Sequence, residues 1–245
     1  TPRFVNPLLK MVYPMSNGRT GAMNEILVVP SAYEKHFFNL VGREQIAFIE
    51  SKPANYSDTS PIVLFLYGNG ETLDKLMKQT DMRTRINSTG AVFASIDYPS
   101  YGSSTGFPDE QSLVDAGGAA VEYLYQKYNR NIIILGHSLG GAIAMQVGAR
   151  LSPLVSKVIE YAAFSSIVSS AKDVLGHWSW LAHIFLAHQY NSADAVPLLK
   201  GKLVILHGSR DQVIPLRHAE EILENIGASN CGIEIIEGAD HNDIG

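Results

Sequence analysis

The chain has 245 residues, of which 46% are hydrophobic and 18% charged. This balance is typical of a globular protein with one sizeable core, so we expect a single domain rather than a disordered or fibrous chain. A net charge of −5 without a cluster of Lys and Arg argues against nucleic acid as a partner, because gripping phosphate backbones needs several grouped cations.

The cysteine content bears on compartment and metal chemistry. Cys231 is the only cysteine, so neither an intramolecular disulfide nor a thiolate metal cluster can form. This slightly favours the cytoplasm, although a signal peptide removed before Thr1 would leave no trace and export stays open. No stretch is apolar for long enough to span a bilayer. We expect no metal and no cofactor, and the sequence does not indicate the oligomeric state.

From Pro61 onward, short β-branched or apolar runs alternate with longer amphipathic segments. The runs are nearly continuous in apolar character, which is typical of strands covered on both faces. Two of the segments carry helix signals: one opens at Pro108, and the other begins at Pro215 and stops at Gly227. The predicted strands are PIVLFL, AVFASI, NIIILG, KVIEYA, KLVILHG and GIEIIEG.

This alternation predicts an α/β fold, with a mostly parallel central sheet and helices on both faces. Such sheets keep their reactive groups at the carboxyl ends of the strands. Before Pro61, EILVV and EQIAFIE predict additional, antiparallel edge strands. The stretch from Phe164 to Pro197 interrupts the rhythm, which predicts a small helical cap inserted at about residues 165–196 of one domain spanning residues 1–245.

A G-x-S-x-G motif centred on Ser138 lies between the predicted strand NIIIL and the predicted helix GAIAMQVGAR. The motif alone is weak evidence, but this strand–turn–helix context is what a nucleophile elbow requires. In so sharp a turn the serine takes a strained backbone conformation. Gly136 and Gly140 are then needed because side chains there would collide with the neighbouring strand or helix. The alternative is a serine that only caps the helix.

A nucleophilic serine needs a base and a carboxylate that orients the base. Of the eight histidines, His241 is favoured because it lies in the loop after the last predicted strand, at the carboxyl edge of the sheet. His137 is adjacent to Ser138, but we expect its side chain to point elsewhere, and we expect His207 to be structural. Asp211 follows another parallel strand and is the expected carboxylate.

Other aspartates fit that role less well. Asp240 and Asp243 flank the histidine, where adjacent side chains rarely point the right way, and Asp97 is committed to a tight loop and is expected to be structural. The resulting chain order of serine, aspartate and histidine is that of α/β-hydrolases, and not that of chymotrypsin or subtilisin.

The oxyanion of a tetrahedral intermediate needs hydrogen-bond donors. Leu139, directly after the serine, offers one backbone N–H. The second is expected from the loop YGNGE, where Asn69 is the first choice and Gly70 the reserve, unless that loop is a glycine-rich turn without function. In the cap, Trp178 and Trp180 are candidates for an apolar acyl pocket, although aromatic residues at such spacing more often pack a cap against its domain.

These pieces together resemble serine hydrolases of the α/β-hydrolase superfamily, in the branch of abhydrolase-domain proteins that includes lysophospholipases and protein depalmitoylases. The resemblance covers roughly residues 62–241. It implies a catalytic triad of the serine, aspartate and histidine above, an oxyanion site at Asn69 and Leu139, and a conformational loop at DYPSYGSS. The matching pieces are YGNGE, DYPSYGSSTGFPDEQSL, GHSLGG, LHGSRDQVIP and GADHND.

Two features depart from that family. Tyr67 stands where its members usually have histidine, which bears on the geometry of the oxyanion loop. Members also continue into a further helix after the catalytic histidine, whereas this sequence stops at Gly245, so we expect the loop of His241 to dock more loosely.

The sequence therefore predicts a metal-independent serine hydrolase that cleaves a carboxylic ester or thioester through an acyl-enzyme. The expected partner is a small-molecule ester or acyl compound, with lipids among the candidates. A peptidase of the prolyl-oligopeptidase type shares the triad order, although GHSLGG looks more like lipases and esterases. A non-catalytic α/β-hydrolase scaffold that binds a ligand or partner is the alternative from a different class.

Overall fold

A computed structural model describes residues 30–40, 44–79, 81–166, 169, 190–199, 202–226 and 231–243. The predicted strand EILVV and most of the predicted cap, including Trp178 and Trp180, lie outside the described residues. The division into one domain with a cap insertion therefore stays a prediction.

Eight strands form one sheet at the centre of the described chain. All six strands predicted after Pro61 are present. The strands are β1 Glu34–Asn39, β2 Gln45–Ser51, β3 Ile62–Leu66, β4 Val92–Ile96, β5 Ile132–His137, β6 Val155–Tyr161, β7 Lys202–Gly208 and β8 Cys231–Ile236. Their order across the sheet is β1-β2-β4-β3-β5-β6-β7-β8. Pairs β1–β2 and β2–β4 are antiparallel and the other pairs are parallel, which gives the mostly parallel sheet that was expected.

The segment EQIAFIE forms β2 and runs antiparallel as predicted, but it is not an edge strand. It lies between β1 and β4, and its residues from Ile46 to Ser51 are buried. The edge is β1, EKHFFN, whose residues are exposed or half-buried along its whole length. The strand β2 is thus an interior strand with buried side chains, a position in the sheet that its sequence alone did not reveal.

The described helices include both that were predicted. They are α1 Leu73–Gln79, α2 Asp81–Ser88, α3 Glu110–Tyr128, α4 Leu139–Arg150, α5 Ser192–Ala195 and α6 Arg217–Ile226. A capping box starts α3: the side chain of Asp109 accepts from Ser112 N at 2.7 Å, and Ser112 Oγ accepts from Asp109 N at 3.0 Å. These bonds satisfy amides that have no partner within the helix, which fixes where α3 begins.

The connections place helices on both faces of the sheet. From β3, the chain crosses through α1 and α2 in one direction to β4, whereas α3, α4 and α6 lie in crossovers that run in the opposite direction. Right-handed crossovers in opposite directions put their helices on opposite faces. Among the described residues, no helix is both long enough and apolar enough to span a bilayer.

The parallel strands β3, β5, β7 and β8 all point the same way, so the loops that follow them meet at one edge. Those loops carry the tetrapeptide beginning at Gly68, then Ser138, Asp211 and His241. The candidate serine, aspartate, histidine and oxyanion loop therefore all lie at the carboxyl edge of the sheet.

Candidate active site

Ser138 forms the turn between β5 and α4, and its backbone is strained. Its φ of 54° and ψ of −118° lie in a region of backbone conformation that residues other than glycine rarely adopt. A Cβ on Gly140 would lie 1.9 Å from the carbonyl oxygen of Leu66, and one on Gly136 would lie 2.4 Å from the carbonyl oxygen of Gly140. The predicted strained turn and its two obligatory glycines are confirmed.

The alternative of a capping serine does not fit the structure. Ser138 occupies the N-cap position of α4, but its side chain makes no capping hydrogen bond. The residue is half-buried, at the positive end of the helix dipole. Leu139 is the first helical residue, and the first amides of a helix have no acceptor inside it. Its N–H therefore lacks an acceptor within α4, and its role as an oxyanion donor stays a prediction.

Asp211 and His241 are hydrogen-bonded to each other at the ends of neighbouring strands. Nδ1 of His241 lies 2.8 Å from Oδ2 of Asp211, and both residues are buried. The second oxygen of Asp211 accepts from the backbone amides of Val213 at 2.9 Å and Ile214 at 2.8 Å. Since a carboxylate only accepts, Nδ1 carries a proton, and in the neutral form of the ring the lone pair is on Nε2.

His137 joins this pair to the elbow. Its ring centroid lies 5.2 Å from that of His241, and its Nε2 lies 3.0 Å from the carbonyl oxygen of His241. The side chain of His137 thus points to the loop of His241, a contact that the sequence did not reveal. The residue directly before Ser138 is thus in contact with the imidazole that is predicted to act on the serine.

His207 also lies beside Asp211, but it is not available as a base. The side chain is fully buried, and its Nε2 is 2.8 Å from the carbonyl oxygen of Ile214 and 3.7 Å from Oδ2 of Asp211. A carbonyl only accepts, so Nε2 carries the proton. The contact ties β7 to the loop that follows it, in agreement with the structural role expected for His207.

The loop after β3 is held by three tyrosine hydroxyls. Tyr67 donates to Oδ1 of Asp97 at 2.7 Å, and Tyr98 donates to the carbonyl oxygen of Tyr67 at 2.8 Å. Tyr101 donates to Oδ1 of Asn69 at 2.5 Å. Two of these tyrosines belong to DYPSYGSS, so this segment supports the loop that carries the proposed oxyanion donor.

The buried carboxylate of Asp97 accepts several hydrogen bonds in the same region. Its carboxylate also accepts from the amides of Leu73 and Ser103, each at 2.8 Å. Burial raises the pKa of Asp97, whereas these two amides and the hydroxyl of Tyr67 lower it. Burial likewise raises the pKa of Tyr67 well above its usual range, so its hydroxyl stays protonated and can donate. The structural role expected for Asp97 is confirmed.

Asn69 and Gly70 lie close to the elbow. A Cβ on Gly68 would lie 3.3 Å from Cβ of Ser138, so the backbone just before Asn69 touches the serine. Glu71 N donates to Gly68 O at 3.3 Å and closes a turn around the two residues. The structure brings this turn to the serine, while the role of its amides as oxyanion donors stays a prediction.

Sequence reasoning did not find Tyr101 or Tyr161 as parts of this site. Tyr161 ends β6, and its hydroxyl lies 2.9 Å from the carbonyl oxygens of both Asp240 and Asp243, on either side of His241. Tyr161 therefore ties the loop of His241 to β6, while the expectation of docking looser than in the family stays a prediction. No spacing rule relates these tyrosines to their acceptors, because the pairs are far apart in sequence.

One other group of ligand-type side chains occurs in the described residues, away from this edge. Glu34, His36 and Glu50 bring ligand atoms within 4.8 Å of one another. Nζ of Lys127 is in close contact with Oε1 of Glu50 and lies 3.6 Å from Oε2 of Glu34. Two carboxylates facing each other across neighbouring strands repel, and the ammonium of Lys127 already offsets this repulsion in the place that a metal ion would take.

Comparison with known proteins agrees with this architecture. Est1E from Butyrivibrio proteoclasticus, solved with ferulic acid bound, superposes with a TM-score of 0.65 over 84% of this chain and 90% of that chain, at 18% identity. The model of the Alpha/beta hydrolase family matches residues 83–194. The chain has the α/β-hydrolase fold. Within this fold, the matched segment includes the elbow and the strand before it.

Curated relatives carry the same family name. The alpha/beta hydrolase domain-containing protein WAV2 of Arabidopsis thaliana is 23% identical over 72% of this chain and 61% of its own length. Alpha/beta hydrolase domain-containing protein 17B of Xenopus laevis is 27% identical over 74% of this chain and 60% of its own length. The chain thus spans about three fifths of the length of these relatives.

Proposed function

We propose that this protein is a serine hydrolase that cleaves a carboxylic ester or thioester through an acyl-enzyme. The observation that carries the proposal is the 2.8 Å bond between Asp211 and His241, at the same edge as a serine held at φ 54°. A hydrolase triad needs this combination of an exposed hydroxyl, an imidazole and a carboxylate that fixes the imidazole's tautomer.

In the proposed first half-reaction, the Ser138 oxygen attacks the acyl carbon while its proton passes to Nε2 of His241. Asp211 keeps the other ring proton on Nδ1 and stabilises the imidazolium that forms. The carbonyl electron pair moves onto the substrate oxygen, where the N–H groups of Leu139 and Asn69 donate to it. When the intermediate collapses, the alcohol or thiol leaves with the proton from His241.

The second half-reaction releases the acyl group with water. Nε2 of His241 takes a proton from the water as its oxygen attacks the acyl carbon of the ester on Ser138. The same two N–H groups stabilise the second oxyanion, and the serine recovers its proton when the carboxylic acid departs. No step requires a group beyond the side chains and amides named here.

The choice of an ester or thioester rests on likeness as well as on geometry. Est1E, one of the structural neighbours, was solved with ferulic acid bound, and another neighbour is the esterase domain of a Rhodothermus marinus protein. We infer a small-molecule acyl substrate, with lipids among the candidates. Trp178 and Trp180 stay candidates for the acyl pocket, and Gly70, the reserve oxyanion donor, is a further candidate for contact with the substrate.

The test is covalent labelling by a fluorophosphonate combined with turnover of p-nitrophenyl esters. Wild-type protein should label at Ser138, and Ser138→Ala should lose the label and lower kcat by several orders of magnitude, about 10⁶-fold in the best-studied serine triad. A p-nitrophenyl ester series of increasing chain length, a matched thioester series and a peptide panel then separate an esterase from a thioesterase and a peptidase.

Ser165 provides a matched control because it also lies beside a histidine. Its Oγ is 2.9 Å from Nδ1 of His218 and donates to Glu221 at 2.5 Å, but it is buried. Ser165→Ala should therefore still label at Ser138. Labelling that depends on Ser165, or folded wild-type protein that neither labels nor turns over any ester, would contradict the proposal, and the second result favours a non-catalytic scaffold.

A further inference from the structure

We propose that His137 and Tyr161 are positioning residues that clamp the loop of His241 onto the nucleophile elbow and so hold the proposed base in register with Ser138. This inference rests on the proposed function. The proposed reaction assigns no step to His137 or Tyr161, and this inference gives them a positioning role.

His137 makes one half of the clamp. Its Nε2 lies 3.0 Å from the carbonyl oxygen of His241, and because a carbonyl only accepts, that nitrogen carries the proton. His137 also immediately precedes Ser138 in the chain. The donor therefore moves with the nucleophile, and the hydrogen bond ties the backbone of the base directly to the elbow.

Tyr161 makes the other half. It is the direct cross-strand neighbour of His137, with ring centroids 5.4 Å apart. Its hydroxyl lies 2.9 Å from the carbonyl oxygens of both Asp240 and Asp243, so its one proton is shared between the two residues that bracket the histidine turn. Its own carbonyl accepts from the amide of Ser138 at 2.9 Å. Tyr161 thus contacts both the elbow backbone and the histidine loop.

The clamp and the Asp211 contact fix different parts of the same residue. Asp211 holds the imidazole through Nδ1, whereas His137 holds the backbone carbonyl of His241. A ring fixed at one nitrogen can still swing if its backbone moves. A displacement of about 1 Å at a catalytic group can cost about 10²-fold in rate. Two attachments remove that freedom.

His137 also packs against the loop of the proposed oxyanion donor. A Cβ added to Gly68 would lie 3.2 Å from Nδ1 of His137. The same ring therefore contacts the loop after β3, the elbow and the loop after β8. The side chain of His137 therefore packs between the three segments that the proposed reaction needs.

The charge state of the clamp suits this role. Burial, the largest cause, lowers the pKa of His137 to about 4, so its ring is neutral at neutral pH and does not repel the imidazolium formed on His241. Burial raises the pKa of Tyr161 to about 12, and the nearby carboxylates of Asp211, Asp243 and Asp240 act in the same direction. Its hydroxyl therefore remains a donor.

The experiment compares variants of the intact chain. His137→Phe keeps a ring but removes the donor, Tyr161→Phe removes only the hydroxyl, and His137→Gln restores an N–H near the position of Nε2. We expect each Phe variant to lower kcat for p-nitrophenyl esters by about 10–100-fold with little change in KM. The rate of fluorophosphonate labelling should fall by a similar factor, and His137→Gln should recover most of both.

A second measurement does not depend on activity. Hydrogen–deuterium exchange of the amides in residues 238–243 should be faster in both Phe variants than in wild type and close to wild type in His137→Gln. Tyr123→Phe, on α3, is the matched control and should change neither exchange nor kcat. Wild-type protein that does not label contradicts the proposed function alone, because the exchange comparison still tests the clamp.

Three results would overturn the clamp. The first is unchanged exchange in both Phe variants. The second is a kcat within about 2-fold of wild type in each. The third is a loss of kcat that His137→Gln does not relieve and that follows a fall in thermal stability, since this is what general damage to the fold would produce.

Discussion

The hydroxyl of Tyr67 donates a 2.7 Å hydrogen bond to Oδ1 of Asp97, and both side chains are fully buried. The family that the sequence resembles usually has histidine in the place of Tyr67. Here the phenol reaches down to a carboxylate that also accepts from Leu73 and Ser103. The tyrosine at this position therefore supports the loop that carries Asn69 through a hydrogen bond of its own.

Tyr67→Phe tests that support. The change preserves the ring but leaves one acceptor site on the buried Asp97 without its hydroxyl donor. Losing a hydrogen bond to a charged group should lower the free energy of unfolding by about 1–3 kcal/mol. Because the loop of Asn69 is less firmly held, kcat for ester hydrolysis should fall several-fold. Urea denaturation and steady-state kinetics measure the two effects.

Tyr56→Phe is the control for that experiment. The hydroxyl of Tyr56 accepts a long 3.4 Å contact from Arg130, far from the elbow. Removing this hydroxyl should change the free energy of unfolding by no more than a few tenths of a kcal/mol and kcat by no more than a factor of about two. If Tyr67→Phe behaved like Tyr56→Phe, the Tyr67–Asp97 bond would not support the loop.

Gly140→Ala should be severely destabilising. The added methyl would lie 1.9 Å from the carbonyl oxygen of Leu66, and backbone cannot yield as a flexible side chain can. The helix α4 would have to move away from β3, at a cost above the ~1–3 kcal/mol usual for overpacking. Gly232→Ala is the comparison, because a Cβ there meets nothing within 4 Å. Equal melting temperatures for the two variants would contradict this account of the elbow.

Asp211→Asn should abolish most activity while leaving the fold intact. One oxygen of Asp211 accepts from two backbone amides, so the oxygen of asparagine must stay on that side. The NH₂ group then faces Nδ1 of His241 and forces the ring into the other tautomer, which leaves no lone pair on Nε2. By analogy with the same change in a chymotrypsin-type protease, kcat should fall by about 10⁴-fold. A variant that kept a tenth of the wild-type kcat would exclude His241 as the base.

Glu160 makes the stability of the protein depend on pH. The residue is fully buried in β6, where its Oε2 accepts from Ala163 N at 2.9 Å, and burial raises its pKa from 4.5 to about 8. Between these values the unfolded chain has released the proton and the folded chain has kept it. The contribution of Glu160 to stability is therefore complete below pH 4.5 and is lost as the pH rises towards 8.

Glu160→Gln removes that titration. We expect the free energy of unfolding of the variant minus that of wild type to increase by several kcal/mol between pH 5 and pH 8, because wild type loses stability over this range and the variant does not. Denaturant curves at several pH values measure the difference, in which the titrations of other groups cancel. A difference that does not change with pH would mean that Glu160 ionises normally in the folded protein.

Much of this architecture was visible in the sequence because its signals are local. The six apolar runs after Pro61, the helix signals at Pro108 and Pro215, and the G-x-S-x-G turn each depend on residues close together in the chain. The apolar pattern of a strand, helix capping and the steric limits on a sharp turn each depend on a few neighbouring residues. The order of strands and helices then restricted the reactive loops to one edge of the sheet.

The sequence by itself thus determined the α/β fold, the strained turn at Ser138 and the candidates Asp211 and His241. Only the tertiary structure decided that β2 lies inside the sheet, that His137 turns towards the histidine loop, and that Tyr101 and Tyr161 hold the loops of the site. Those relationships join residues that are distant in sequence. They arise where neighbouring strands bring side chains together, and no local propensity encodes the pairing of a hydroxyl with a particular distant carbonyl.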